Sequence, residues 1–204
     1  MKNTTHLAVI GLCAALTASC ASSPATTTAT ATSAPAQRIA DAPKPATRAG
    51  MVAAKLAEAE EAFDAGDKAV LAELVAALKM SGVRTLEPAQ SDQLAMWQNA
   101  SGAPSTPYRG RLLGPAYVRG ELAPGEIWRS AQTFKSGEAS TLSVSHKGSG
   151  PIRMMVSDAK ARAVCNPSTV TKPPCQFTPM FTQRYNIELT NEGSEDAVYF
   201  LVFD

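Results

Sequence analysis

The spacing of apolar residues predicts two kinds of secondary structure in succession along the chain. Between residues 51 and 82 they recur every three or four positions, which is the period of an amphipathic α-helix. The first predicted helix carries a stripe of Val52, Leu56, Ala59 and Phe63, and the second a stripe of Val70 or Leu71, Leu74 and Leu78. Because Asp67 is suited to cap the second helix, a helical hairpin is predicted.

From residue 111 to residue 204 the apolar period is two, as β-strands require. The alternating runs include Leu142, Val144 and His146, then Ile152, Met154 and Val156, and later Tyr185, Ile187 and Leu189. Residues 198–203 are apolar on both faces, so this last strand is expected to be central. Turn-forming residues separate the runs, which predicts an antiparallel β-sandwich of jelly-roll type with seven or eight strands. The fold class is therefore α+β.

Residues 83–110 join these two parts and are predicted to be a linker with one short helix near residues 91–98. Trp97 lies in this helix beside Leu94. An exposed Trp could stack on a ligand, but a Trp next to an apolar neighbour more often anchors local packing.

The amino terminus is typical of an export signal. Lys2 precedes an apolar stretch, residues 7–16, that is too short to span a bilayer. The small-small-Cys order of Ala18, Ser19 and Cys20 then resembles the lipobox of bacterial lipoproteins. The resemblance implies that residues 1–19 are cleaved and that Cys20 carries the lipid that holds the protein on a membrane.

One position departs from that resemblance. Thr17 stands where the lipoprotein family usually has Leu, so cleavage after Ala21 remains an alternative and would give a soluble periplasmic or secreted protein. In the lipoprotein family, an Asp after the cysteine would retain the protein in the inner membrane. Ala21 in that place implies the outer membrane, with the protein facing the periplasm. Residues 20–50 are mostly Ala, Thr, Pro and Ser, which predicts a disordered tether behind the lipid.

The remaining cysteines are expected to pair. Cys13 leaves with the signal and Cys20 is lipidated, which leaves Cys165 and Cys175 in an oxidising compartment. We predict a disulfide between them. A metal site is not expected, because the spacing does not fit a zinc knuckle and His146 is the only histidine left after export.

Charge and motifs exclude several classes of function. Loss of Lys2 leaves equal numbers of basic and acidic side chains and no basic run, so nucleic acid is not an expected partner. The chain has no phosphate loop, dinucleotide fingerprint or serine-hydrolase elbow, so no cofactor and no catalytic residue is assigned. An enzyme is therefore not expected.

Some polar residues are nevertheless candidates for chemistry. An enzyme would require His146, Asp158 or the acidic turn to converge in a cleft. The acidic turn, which contains Glu192, Glu195 and Asp196, is interpreted as an exposed hairpin end rather than a calcium site. Glu60 and Glu61 are interpreted as solvated charges on the first helix.

The carboxyl-terminal half, from about residue 113 to residue 204, resembles the bacterial pre-peptidase C-terminal type of secreted β-sandwich. The resemblance lies in the order Gly-x-Leu-x-Pro-Gly from Gly120 to Gly125, the strand around Phe134, residues 152–158 and the aromatic last strand. That family typically has Asp-x-Asp-Leu where residues 152–155 read Ile-Arg-Met-Met. An ion site is therefore not implied.

These features predict a cell-envelope lipoprotein with a binding or assembly role, whose partner is an envelope protein or a glycan. Four aromatic residues could form a binding face around the disulfide loop, or could fill the core of a small sandwich: Trp128, Phe177, Phe181 and Tyr185. In an alternative hypothesis, the helical hairpin docks a partner through an uncovered stripe that includes Val52, Leu56, Phe63 and Leu74. A further alternative is an accessory protein of a periplasmic hydrolase.

Overall fold

A computed structural model describes residues 47–87, 92–103, 114–165 and 174–204. The predicted signal, Cys20 and nearly all of the predicted tether lie outside the described residues. Within them are three helices, α1 (Arg48–Asp64), α2 (Lys68–Ser81) and α3 (Gln93–Ser101). The described strands are β1 (Arg84–Thr85), β2 (Ala116–Leu122), β3 (Ile127–Phe134), β4 (Ser140–Lys147), β5 (Ile152–Ser157), β6 (Ala163–Cys165), β7 (Cys175–Phe177), β8 (Gln183–Asn191) and β9 (Ala197–Phe203).

The helices begin and end where their capping residues require. Asp67 accepts a hydrogen bond from the Val70 amide at 3.1 Å, which confirms the predicted cap of α2. Asp92 caps α3 in the same way. Gly82 ends α2 with a φ of 70°, a left-handed conformation that glycine adopts without strain. Local sequence therefore defines the helical hairpin.

The strands form two sheets that pack face to face. Sheet A has the order β1-β2-β9-β4-β7, and sheet B has the order β3-β8-β5-β6. The pairs are antiparallel except for the short parallel pair of β1 with β2. Helix α1 packs on β4 and β9 and covers the outer face of sheet A. The described fold is thus α+β with an antiparallel β-sandwich, as predicted, and the helices form a third layer on sheet A.

The last strand lies between β2 and β4, which confirms its predicted central position. Phe200 and Val202 point outward and join the apolar cluster that contains Trp97 and the inner surfaces of the helices. Tyr199 and Leu201 point inward and join the cluster between the two sheets. Both faces of β9 are therefore buried, because one side is covered by helices and the other by sheet B.

The helical stripe is covered, so the predicted docking surface on the hairpin is wrong. Val52 and Leu56 are 3% and 0% exposed and lie in the cluster beneath the helices. Phe63 and Leu74 are half-buried against the same cluster. The physical reason is that sheet A has an apolar outer face, and α1 is the element that shields it from water.

Gly120 shows how closely the layers of side chains fit. A Cβ atom at this position would lie 2.5 Å from the Tyr199 hydroxyl oxygen and 2.7 Å from its ring, so any larger residue would displace the tyrosine. Tyr199 in turn packs on Trp128 across the sandwich, with 5.6 Å between the ring centroids. The glycine of the Gly-x-Leu-x-Pro-Gly segment therefore makes room for an aromatic ring in the core.

The disulfide predicted between Cys165 and Cys175 is present, with 5.6 Å between the Cα atoms. Cys165 ends β6, which is an edge strand of sheet B, and Cys175 begins β7, which is an edge strand of sheet A. The covalent bond therefore joins the two sheets at neighbouring edges. It fastens two strands of three residues each, which have few ladder hydrogen bonds of their own.

Glu60 is not a solvated charge, contrary to the prediction. It is 4% exposed and accepts hydrogen bonds from the Arg119 guanidinium, at 2.5 Å from Nη2 and 3.3 Å from Nε. Gln93 of α3 donates to the same carboxylate at 3.4 Å. These contacts raise the pKa of Arg119. Adjacent Glu61 is exposed, so only one of the two carboxylates was interpreted correctly.

We expect Arg119→Met to lower the free energy of unfolding by about 3 kcal/mol, because the Glu60 carboxylate would stay buried without its cation. Urea denaturation measures this change. Arg129→Met is the matched control, because it breaks the exposed Arg129–Glu188 pair and should cost less than about 1 kcal/mol. Equal losses in the two variants would contradict a special role for the buried pair.

Candidate functional site

The four aromatic residues proposed as a binding face do not share a surface. Tyr185 is 4% exposed, and Trp128 and Phe177 are half-buried against the core between the sheets. Phe181 alone is on the surface, at 71% exposure. The hypothesis of a common aromatic face is wrong, because the alternation of β3 and β8 points Trp128 and Tyr185 inward.

Three rings close the end of the sandwich where β3 stops and β8 starts. Phe134, Phe177 and Tyr185 pack on one another with centroid distances of 5.0 to 5.6 Å. Such edge and tilted contacts add to the apolar area that the rings bury. This aromatic cluster belongs to the core and supports the loop that carries Phe181.

The outer face of sheet B lies opposite the layer that the helices cover, and none of the described elements covers it. Register places the side chains of this face in rows that cross the strands. Ala131, Asn186 and Ser157 are direct neighbours on β3, β8 and β5, and we call them the small-residue row. A second row, the long-residue row, consists of Arg129, Glu188 and Met155 on the same three strands. Because the side chains of the long-residue row are larger, the small-residue row beside it lies in a trough.

The trough is part of a concave region of about 500 Å³ on this face. Neighbouring strands lie ~4.8 Å apart, so a row across three strands is about 10 Å long. Neither the Asn186 amide nor the Ser157 hydroxyl makes a side-chain hydrogen bond to another described residue. The trough therefore offers unused hydrogen-bonding groups beside the thioether of Met155.

Two ion pairs cross this face. Arg129 Nε lies 2.9 Å from Glu188 Oε2, and Arg153 Nε lies 2.9 Å from Glu192 Oε1. Both pairs join neighbouring strands or their ends. Exposed Arg184, two residues before Asn186 on β8, adds a basic side chain to the same face.

This site is not evident from the sequence. Alternation along β3, β5 and β8 does indicate which residues point away from the core. It does not reveal that Ala131, Asn186 and Ser157 are neighbours, because that depends on how the three strands pair. Only the register brings these residues into one row.

The candidates for catalysis serve local structure instead. His146 Nε2 is 2.7 Å from the Gly150 carbonyl oxygen, within the turn between β4 and β5. Ser149 of the same turn donates to Glu195, and so ties it to the acidic turn between β8 and β9. Asp158 lies at the far end of β5, so the three candidates do not converge in one cleft.

Asp158 organises the turn that leads into β6. Its Oδ1 accepts from the amides of Lys160 and Arg162 at 2.9 Å each, and its Oδ2 accepts from Arg162 Nε at 2.7 Å. The hydrogen bonds from Arg162 are the main reason that the pKa of Asp158 is lowered. Ala161 takes a φ of 60° in this turn, so the carboxylate holds a conformation that alanine rarely adopts.

The described residues contain no group of three or more His, Cys, Asp or Glu side chains arranged to hold a metal ion. No helix in the described part of the chain is both long and apolar enough to cross a bilayer.

Comparison with known proteins gives no family for this chain. No family profile matches it, and no curated protein does. A periplasmic inhibitor of g-type lysozyme from Aeromonas hydrophila matches 44% of this chain and 84% of its own, with 16% identity and a TM-score of 0.33. The pre-peptidase C-terminal domain of a Bacillus anthracis collagenase matches 44% and 88%, with 13% identity and a TM-score of 0.35.

A de novo designed double-stranded β-helix matches 43% of this chain and 97% of its own at 12% identity, with a TM-score of 0.29. A pre-peptidase C-terminal domain is thus among the similar structures. At these TM-scores, the likeness carries no information about ligand or activity.

We expect Asp158→Asn to lower the free energy of unfolding at neutral pH, because the amide replaces a carboxylate that the native turn stabilises. A group with a lowered native pKa contributes stability above its ordinary pKa, and that stability is lost as pH falls through the native value. The difference between wild type and variant should therefore be constant above about pH 5 and shrink as pH falls below about 4. Urea titrations between pH 7 and pH 3 measure it. A difference that grows on acidification would contradict this role.

Proposed function

We propose that the protein is an exported lipoprotein of the cell envelope that binds a ligand without catalysis through the outer face of sheet B. Lipid on Cys20 holds it on a membrane, with the outer membrane as the site that Ala21 favours and the periplasm as the side that it faces. The tether predicted over residues 20–50 joins the lipid to the described fold, although its last three residues, 48–50, belong to α1.

Two features support the envelope assignment. The order Ala18-Ser19-Cys20 follows an apolar stretch of export length. The Cys165–Cys175 disulfide fits an oxidising compartment, where such bonds form and persist. The signal and the disulfide are independent features of the chain, and both agree with export from the cytoplasm.

The observation that carries the binding role is the open trough on sheet B. The helices bury the outer face of sheet A, whereas the small-residue row leaves the Asn186 amide and the Ser157 hydroxyl without side-chain hydrogen bonds to described residues. Polar groups in a concave region, next to an apolar thioether, are typical of a recognition surface.

The polar groups of the trough favour a ligand that is rich in hydrogen-bonding groups. An amide side chain can both donate to and accept from an acetamido group, and Met155 offers an apolar contact for the carbon face of a sugar ring. A glycan with acetamido groups has both kinds of surface, and the envelope contains such polymers. We therefore propose an envelope glycan as the ligand.

Cys20→Ala tests the anchor in a Gram-negative host. We expect the wild-type protein to lose residues 1–19, to gain the mass of its acyl chains, and to fractionate with the membrane. Cys20→Ala should carry no acyl mass, and no cleaved form of this variant should be found in the membrane fraction, because stable anchoring requires the acyl chains. Intact mass and membrane partition measure both effects.

Cys13→Ala is the matched control, because Cys13 lies within the predicted signal and should leave with it. This variant should behave as wild type does. An unacylated wild-type product that is cut after Ala21 and stays in the soluble fraction would overturn the anchored function.

Asn186→Ala tests the trough. With purified peptidoglycan sacculi as the probe, we expect the wild-type protein to co-sediment and the variant to bind about tenfold more weakly. Losing one or two hydrogen bonds costs about 1.4 kcal/mol, which corresponds to that factor. Sedimentation at increasing sacculus concentration measures the change.

Asn99→Ala is the control, because it makes the same substitution at an exposed position of α3, in the helical layer. It should not alter sedimentation. Wild-type protein that stays in the supernatant at every sacculus concentration would argue against this glycan, and equal effects of the two variants would argue against the trough.

A further inference from the structure

Two of the most exposed large apolar side chains are adjacent in the sequence. Met180 and Phe181 are 81% and 71% exposed and lie in the loop between β7 and β8. We call this pair the apolar tip. Single exposed apolar residues are common on protein surfaces, whereas two together at the end of a loop form a small patch.

The loop that carries the apolar tip is held in place. The Gly137 amide donates to the Pro179 carbonyl oxygen at 2.9 Å, and the Ser136 hydroxyl donates to the Met180 carbonyl oxygen at 2.7 Å. The Ser136 amide also donates to the Thr182 hydroxyl at 3.0 Å. Pro179 itself is buried. The turn between β3 and β4 thus braces the backbone of the tip while its side chains extend into solvent.

The chain enters the described fold at the same end of the sandwich. Arg48, in the first turn of α1, lies 3.6 Å from the Asp204 carboxylate. Asp204 exchanges two backbone hydrogen bonds with Thr141, at 2.8 and 3.0 Å. Ser140, the neighbour of Thr141, pairs with Phe177, the last residue before the loop of the tip. Thr47 and the apolar tip therefore lie near the same end of the sandwich, and the predicted tether joins the fold at that end.

Basic side chains lie close to the tip. Lys135, next to Ser136, is 73% exposed and pairs with Glu138, and Arg184 is exposed two residues after Thr182. Long cationic side chains are suited to the headgroup region of a membrane, where their apolar stems and charged ends can both be solvated.

We propose that the apolar tip is a membrane contact. Met180 and Phe181 enter the boundary between headgroups and acyl chains of the same membrane that holds the lipid on Cys20. This inference rests on the proposed anchoring. Two side chains cannot hold a protein on a membrane alone, but the anchor keeps the tip close and makes the contact intramolecular. A coil of the predicted tether's length reaches about 30 Å, so the tip stays within reach of the lipid.

The contact would orient the binding trough. Strands β3 and β8 extend from the tip end of the sandwich to its other end. They would therefore lie along the membrane normal, with Phe134 close to the membrane and Ile127 far from it. The small-residue row crosses these strands. It would therefore run parallel to the membrane surface, as would a polymer that lies along that membrane.

Phe181→Trp in the full acylated protein tests the proposal. The protein is reconstituted in vesicles of phosphatidylcholine and phosphatidylglycerol, with and without brominated acyl chains. We expect the added emission to shift to shorter wavelength on reconstitution and to be quenched by the brominated lipid. Wild-type protein corrects for Trp97 and Trp128. Ile127→Trp is the matched control, because Ile127 is 39% exposed at the opposite end of β3, and its emission should not be quenched.

The outcomes separate this inference from the anchoring on which it depends. Protein that does not sediment with vesicles would overturn both proposals. Protein that sediments, but in which Phe181→Trp is quenched no more than Ile127→Trp, would overturn the membrane contact and leave the anchor intact. In lipid-free detergent, an emission shift to shorter wavelength that grows with protein concentration would indicate that the tip contacts a second copy of the chain. This result would also overturn the membrane contact.

Discussion

The burial of both faces of β9 is the constraint on which the rest of the structure depends. A strand with apolar side chains on both faces must have a layer on each side, because either face would otherwise remain in water. Sheet B covers the inner face, through Tyr199 and Leu201. The helices cover the outer face, through Phe200 and Val202. The three-layer order follows, and it leaves the outer face of sheet B as the sheet surface that no described element covers.

This arrangement decides which surfaces are available for function. The apolar stripe of α1 stabilises the fold and is not free to dock a partner. Glu60 lies on the same helix, and its burial against Arg119 ties α1 to β2 by a directional contact as well as by apolar packing. What remains open is the polar trough on the outer face of sheet B. The turn between β4 and β5 is tied to the acidic turn by hydrogen bonds from Ser149 to Glu195 and from the Glu192 amide to the Pro151 carbonyl oxygen, so the two turns stiffen the end of the sandwich far from the apolar tip.

The ends of the sandwich therefore differ in character. One end has polar turns that are fastened to each other. At the other end, an aromatic cluster supports a braced loop with Met180 and Phe181 in solvent, close to the point where the chain enters α1. The disulfide lies at the lateral edges of the two sheets and joins them there. In this architecture, an anchored domain would present the tip to its membrane and the trough to its surroundings.

The sequence by itself determined the elements with strong local signals: the helical hairpin with its Asp67 cap, the alternating strands, the central position of β9 and the pairing of Cys165 with Cys175. Periodicity and capping depend on residues close together in the chain, and the disulfide follows from the cysteines expected to remain after export, so these features can be inferred without a fold. Tertiary structure decided the rest. It buried Glu60 and Tyr185, covered the helical stripe, and aligned Ala131, Asn186 and Ser157 in one row. Each of these outcomes depends on strand register or layer order, which bring together residues far apart in the sequence.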